Sequence, residues 1–328
     1  MDRTHDRTPA IVFGSLLAVG LAGTAVLGTR ALGGRSERSL VPLPRGLLNL
    51  GNTCYLNSVI QALFSSPTFT RFLGKAEDPG PVTRMLKSLN GGNGDGAIKA
   101  LVKRVSRNTV SIDWEPGQQQ DAHEFFTYLA LWMNEEASAK GARSPMSIFE
   151  HEIRTRVLCL NGHLLKGLPV SMVHYTVPTG LQERPWWTRV LEPRVERGVV
   201  RKCPKRRCSS ELAATEETIN TAPLVLLAMV DRFEVAGRSV RRNGGTVPIP
   251  LLFEAGVMYV YVLRSVVMHR GSTPRSGHYR AVGLRGKTWF LFDDETVRPF
   301  DWARDRKMVE EQAYLMIFDR RVVESRRL

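Results

Sequence analysis

The sequence predicts an α+β fold, and three observations carry that prediction. Apolar residues recur at helical spacing early in the chain, strand-like runs replace them from about Phe149, and no internal repeat links the two regions. The first helix follows Asn52 or Thr53, either of which suits an N-cap, and buries Leu56, Val59, Ile60, Leu63 and Phe64 on one face before Pro67 closes it. A loop at Asn90–Gly96 leads to a second helical region. There Asp121–Met133 places Phe125, Phe126, Leu129, Trp132 and Met133 on one side. Strands are expected at Ile153–Leu160, Leu164–Val177, Leu224–Val235, Val257–Met268, His278–Leu284, Thr288–Phe292 and Ala313–Phe318, with a hairpin turn at Gly286-Lys287.

Cys54 falls in the first turn of the first helix, where unpaired backbone N–H groups and the helix dipole favour a thiolate. A free thiol titrates near ~8.5, and such a placement lowers it. Asn49 and Asn52 bring side-chain amides just upstream and Gly51 permits a tight turn, so that an oxyanion site could form with the Cys54 N–H. Most lone cysteines are small core residues. The neighbours of Cys54 make it a candidate nucleophile.

With 328 residues, 43% of them hydrophobic, and six tryptophans, the chain can bury a substantial core. Four cysteines do not make a disulfide scaffold in a chain this long, which points to a reducing compartment. The net charge of +14 invites a nucleic-acid partner, but no recognition motif or aromatic-basic ribbon accompanies it, so none is expected. Residues 9–29, which follow a short tail (1–8), lack charge and are long enough to cross a bilayer as one helix, for which roughly 20 residues suffice. Arg30, Arg35 and Arg38 follow in a basic linker (30–45), which by the positive-inside tendency keeps the rest cytosolic. A cleaved signal peptide is the rival reading, but it sits poorly with a thiol protein that has no disulfide framework.

Late in the chain, His278 begins one strand and Asp293 stands just past the end of its hairpin partner, so pairing can bring them together. An imidazole that takes the thiol proton and a carboxylate that fixes its tautomer complete a Cys-His-Asp triad, in the chain order of papain-like enzymes. His269 is the nearest decoy and lacks a following acidic pair.

These motifs resemble those of the ubiquitin-specific proteases, the papain-like family that removes ubiquitin from proteins. The Cys box matches at Gly46–Ser58, a glutamine-aspartate box at Gln119–Phe125, a central element at Pro223–Phe233 and the His box at Tyr261–Val297. The resemblance implies a catalytic domain over residues 46–320 with thumb, palm and reduced fingers, preceded by the single transmembrane helix and followed by a basic tail (321–328). It implies Cys54 as nucleophile, His278 as general base, Asp293 as its orienter, Asn49 as oxyanion donor and Asp294 as a supporting carboxylate. Gln120, Asp121, Gly277 and Tyr279 would meet the ubiquitin tail.

No cofactor would be needed for the chemistry. Many family members hold a structural zinc in the fingers, and Cys159, His163, Cys203 and Cys208 could supply a tetrahedral set, although their spacing departs from the family's paired Cys-x-x-Cys. Ubiquitin, ubiquitinated proteins and a membrane are the implied partners. The anchor so close to the Cys box is similar to that of the family's mitochondrial outer-membrane member, with one departure. That member has serine at the third triad position, where this chain has Asp293. The mitochondrial outer membrane is therefore the expected location, with the endoplasmic reticulum as the alternative. An inactive ubiquitin-binding adaptor and a protease for a ubiquitin-like modifier are the competing functions.

Overall fold

The computed structural model describes residues 43–322 apart from 93, 108–116, 180–183, 193, 220, 237, 238 and 257. The expected tail and anchor, most of the linker and the last six residues of the chain lie outside the described residues. Among those described, no helix is long and apolar enough to cross a membrane.

Helices come first, as the apolar spacing predicts: α1 (Cys54–Phe64), α2 (Pro67–Lys75), α3 (Pro81–Asn90), α4 (Gly94–Ser106) and α5 (Ala122–Ser138). Pro67 does not merely close α1. It opens α2 at the first helical position, where no N–H is needed, and the Ser66 side chain caps that helix by accepting from Phe69 N. Asp121 caps α5 by accepting from the amides of His123 and Glu124. Residues 54–63 of α1 are buried all round rather than on one face, because the helix is wedged between the other helices and the sheet. Leu56, Ile60 and Leu63 are fully buried there, each stabilising the fold by roughly 1.5–3 kcal/mol.

The strands follow in order: β1 (His151–Cys159), β2 (Leu164–Met172), β3 (Tyr175–Val177), β4 (Arg194–Val200), β5 (Leu212–Ile219), β6 (Val225–Val230), β7 (Phe233–Ala236) and β8 (Ser239–Arg242). Then come β9 (Leu252–Ala255), β10 (Tyr259–Thr273), β11 (Ser276–Arg285), β12 (Thr288–Asp293) and β13 (Thr296–Pro299), followed by helix α6 (Trp302–Gln312) and strand β14 (Ala313–Val322). The palm sheet runs β13-β12-β11-β10-β14-β6-β3, with β9 paired to β10. Among the described residues, only the β3–β6 pair in it is parallel. Strands β2-β1-β5-β4 form a separate antiparallel fingers sheet, and β7 pairs with β8 alone.

Both faces of the palm sheet are covered. Val225, Leu227, Leu315 and Ile317 pack against the helices, while Leu226, Ala228, Met316 and Phe318 enter a second core with Trp186 and Val309. Two-sided burial explains why Val225–Val230 reads as an unbroken apolar run. Gly283 lets α1 approach this sheet, since a Cβ there would collide with the Ser65 hydroxyl at the helix end. Ser265 of β10 donates to Ala62 O from the same side.

Two expected strands are split. Leu164–Val177 divides into β2 and β3, and Leu224–Val235 into β6 and β7. Strands β4 and β5 escape an apolar pattern because charged residues and threonines fill much of them. Among the described residues of β1 and β5, His151, Val157, Cys159 and Ala213 are buried, and none of them joins the two large cores.

Candidate active site

The Cys54 side chain lies at the first position of α1 and is 3% exposed. Thr53 occupies the N-cap, but its hydroxyl does not cap the helix. It accepts from Leu50 N and donates to Asn49 Oδ1 instead. Asn49 Oδ1 also receives the amides of Gly51 and Thr53 at 3.1 and 3.2 Å. Gly51 and Asn52 adopt left-handed backbone with φ of 88° and 56°, which is why a glycine and an asparagine serve there. The Asn52 side chain ties this loop to Gly117 O at 2.9 Å.

His278 stands near the start of β11, and Asp293 ends β12. Ala281 pairs with Phe292, so extending the register sets Asp293 opposite Arg280 and on the same face as His278, a diagonal neighbour. The geometry follows: His278 Nε2–H donates to Asp293 Oδ1 at 2.6 Å. That bond leaves Nδ1 for the thiol. The hydrogen bond with Cys54 is the main force that pushes His278 up to about 9, with Asp293 adding to it and burial opposing it. Near neutral pH this imidazole is therefore held in its protonated form beside the thiol. The expected triad of Cys54, His278 and Asp293 is brought together.

Asp294 has a different task from Asp293. Its carboxylate accepts the side-chain amides of Asn49 and Asn57, both at 2.8 Å, and its backbone sits at φ 51°. Burial pushes its carboxyl up, and the two amides work against that shift. Asn49 N donates to Glu295 Oε1 and Leu47 N to Asp294 O. A Cβ at Gly46 would collide with the Glu295 and Asp294 carbonyls. The Cys-box loop is thus buttoned to the turn after β12, and Asn49, the expected oxyanion donor, is oriented by Asp294 through one of its two amide hydrogens.

The residues expected at a ubiquitin tail divide. Tyr279 is 1% exposed and donates to Pro274 O at 2.7 Å from beneath the turn, so it does not face a substrate; its position on the inward face of β11 decides this. Asp121 turns its carboxylate inward, onto the α5 amides and the Tyr314 hydroxyl at 2.7 and 2.9 Å. Gln120 is buried beside it. Gly277 is required by its own backbone, since φ is 113° and a Cβ would strike Arg270 O. Glu124, which no spacing rule singles out, pairs with Arg275 of the β10–β11 turn at 3.2 Å.

Far along the fingers, Cys159, His163, Cys203 and Cys208 bring their ligand atoms within 4.8 Å of one another. Cys159 Sγ lies 3.4 Å from His163 Nδ1 and 3.9 Å from Cys208 Sγ, and Cys203 Sγ lies 3.7 Å from His163 Nδ1. Tetrahedral Zn²⁺ with bonds of about 2.0–2.3 Å sets its ligands roughly 3.4–3.8 Å apart, so the four residues fit the ion. Hydrogen bonds, led by the Ser210 amide, hold the Cys208 thiol down at about 6, the deprotonated state that a metal takes. Left-handed turns at Gly162 and Arg207 fold the two loops that carry these ligands.

A buried cysteine at a helix start, an imidazole bonded to it, and a carboxylate on the far ring nitrogen define a papain-type thiol hydrolase site on an α+β frame. Residues 45–318 match the family described as Ubiquitin carboxyl-terminal hydrolase, and the chain belongs to that family. It is similar to "Ubiquitin carboxyl-terminal hydrolase 36" of Drosophila mojavensis, 26% identical over 325 residues that cover 85% of this chain and 26% of that one. "Probable ubiquitin carboxyl-terminal hydrolase 16" of Schizosaccharomyces pombe is 25% identical over 324 residues, covering 88% of this chain and 69% of the other. The chain thus spans about a quarter of the length of the Drosophila relative. In fold it resembles the structure titled "Structure of the SAGA Ubp8/Sgf11/Sus1/Sgf73 DUB module bound to ubiquitin aldehyde", with a TM-score of 0.68 at 19% identity, covering 86% of this chain and 70% of that one.

Proposed function

We propose that the chain is a thiol-dependent deubiquitinase that hydrolyses the isopeptide bond after the terminal glycine of ubiquitin. The observation that carries this reading is the pairing of His278 with both Cys54 and Asp293. Near neutral pH His278 holds the thiol proton, so that Cys54 Sγ attacks the glycine carbonyl as a thiolate. The Cys54 N–H and the Asn49 amide stabilise the oxyanion. As the C–N bond breaks, His278 gives its proton to the departing lysine amine, leaving a thioester. Water then loses a proton to His278 and attacks that thioester, and ubiquitin leaves with a free carboxylate while the proton returns to sulfur. Asp293 keeps the ring in the tautomer that faces sulfur.

A zinc ion on Cys159, His163, Cys203 and Cys208 would brace the fingers and supply no chemistry to the cleavage. Residues 9–29 would anchor the domain at the mitochondrial outer membrane, facing the cytosol. The length and charge pattern of that segment support this placement.

Turnover of ubiquitin bearing a fluorogenic C-terminal amide tests the activity. Cleavage is expected for ubiquitin and not for ubiquitin-like modifiers carrying the same amide. A wild-type protein that binds ubiquitin without turnover would be an adaptor instead. For the anchor, deleting residues before Ser36 should release a tagged chain from mitochondria, and a chain that stays bound refutes that placement.

A further inference from the structure

His269 lies one strand away from the triad and is fully buried. The Arg242 guanidinium, which has only donors, reaches His269 Nδ1 at 3.1 Å, so Nδ1 accepts. Nε2 therefore carries the proton and donates it to Ser276 O at 3.0 Å. One tautomer satisfies both contacts. Phe233, Tyr279 and Tyr314 rings pack around the imidazole with centroids at 5.5, 4.4 and 6.5 Å. The charged and titratable groups that face it are Arg242 from β8, Arg232 after β6, His278 and Tyr279 from β11, and Tyr314 from β14. Burial, together with Arg242, His278 and Arg232, keeps this histidine neutral, down at about 4.

The contacts of His269 fall where the β10–β11 ladder fails. Pairing is regular up to Arg270 and His278, and it resumes only at Thr273 and Ser276. In such an irregularity backbone carbonyls lose their ladder partners. Here three buried or half-buried side chains bind backbone carbonyls in and beside this gap. Arg242 donates to Gly271 O, Tyr279 to Pro274 O and His269 to Ser276 O. Gly271 and Gly277 pack too closely within the turn for a Cβ. The segment held in this way ends on His278.

We propose that His269, backed by Arg242, is a positioning residue that fixes the Gly271–Gly277 turn and through it sets the His278 ring against Cys54. This rests on the reading of Cys54 and His278 as the reacting pair. The lone hairpin β7–β8 thereby acquires a role, because it delivers Arg242 to the back of the catalytic turn.

The test reads the pair itself, without ubiquitin. Cys54 is alkylated with a small haloacetamide across pH, and the adduct on its peptide is quantified by mass spectrometry. The wild type should show a plateau reaching down through neutral pH, the mark of a thiolate held by an imidazolium. His269→Phe keeps the ring packing and loses both polar contacts. Its plateau should vanish, with the rate rising only toward the ordinary thiol range near ~8.5, and turnover of the ubiquitin substrate should fall up to about a hundredfold. His269→Gln offers an acceptor to Arg242 and a donor to Ser276 O, and should restore the plateau. Arg242→Met, which leaves His269 in place, should weaken it and serves as the probe if His269→Phe does not fold. A plateau in the wild type that persists in a folded His269→Phe, or in Arg242→Met where the former does not fold, overturns this proposal alone. A wild type with no plateau overturns the reacting pair and this proposal with it.

Discussion

The Cys box and the fingers are held together by opposite means. Around Cys54, a helix buried on every side, two asparagine side chains and the turn after β12 interlock, so the site inherits the rigidity of the two largest apolar cores. The fingers sheet shares little of those cores, and its far end converges on four metal-type ligands. A family that must keep a nucleophile still builds it on packing. Where apolar burial runs short, as in the fingers, a metal on these four ligands could supply the missing stability.

Chelation should break the comparison most sharply. Removing zinc from the purified protein should raise amide exchange in β1 and β5 by orders of magnitude and leave α1 protected, since structural zinc is worth on the order of 10 kcal/mol in small finger domains. Equal loss of protection in both regions would show that the fingers hold the core as well.

Next in size is Asp293→Asn, expected to lower kcat on the order of a thousandfold or more, as the comparable change does in serine-protease triads. The alkaline limb of the pH–rate profile should lie near pH about 9, where His278 loses the proton it gives to the leaving amine. Asp293 helps raise that histidine, so the substitution should move the limb down in pH. The sign for stability is the same. The raised histidine contributes fully below its unfolded value of about 6.5, and that contribution fades as pH rises through about 9.

Ile60→Ala should remove about 2–5 kcal/mol from urea-unfolding stability by leaving a cavity in a fully buried helix. A loss below about 1 kcal/mol would mean that the packing around α1 is looser than its burial implies. The smallest change is expected from Arg275→Ala. The pair with Glu124 is partly exposed, and its removal should shift stability by less than about 1 kcal/mol.

Much of this was legible in the chain, and the failures have physical causes. Cys54, His278 and Asp293 sit in local motifs, and Asp121 announces the start of α5 through its own backbone amides. The inward role of Asp121 depends on Tyr314, far away in sequence, and no spacing rule reaches that contact. Tyr279 sits next to the catalytic histidine, yet strand alternation turns it to the buried face. His269 reads as a decoy because its partners arrive from a separate hairpin and from the far side of a turn. Strands β4 and β5 show charged and threonine-rich runs, so their identity comes from pairing rather than pattern.

The central claim is that Cys54 attacks the carbonyl at the end of ubiquitin. Ubiquitin carrying a C-terminal electrophile should form one covalent adduct with the full chain, which mass spectrometry maps to Cys54, and Cys54→Ala should form none. Equal labelling of wild type and Cys54→Ala, or an adduct on Cys159, Cys203 or Cys208 instead, would contradict it.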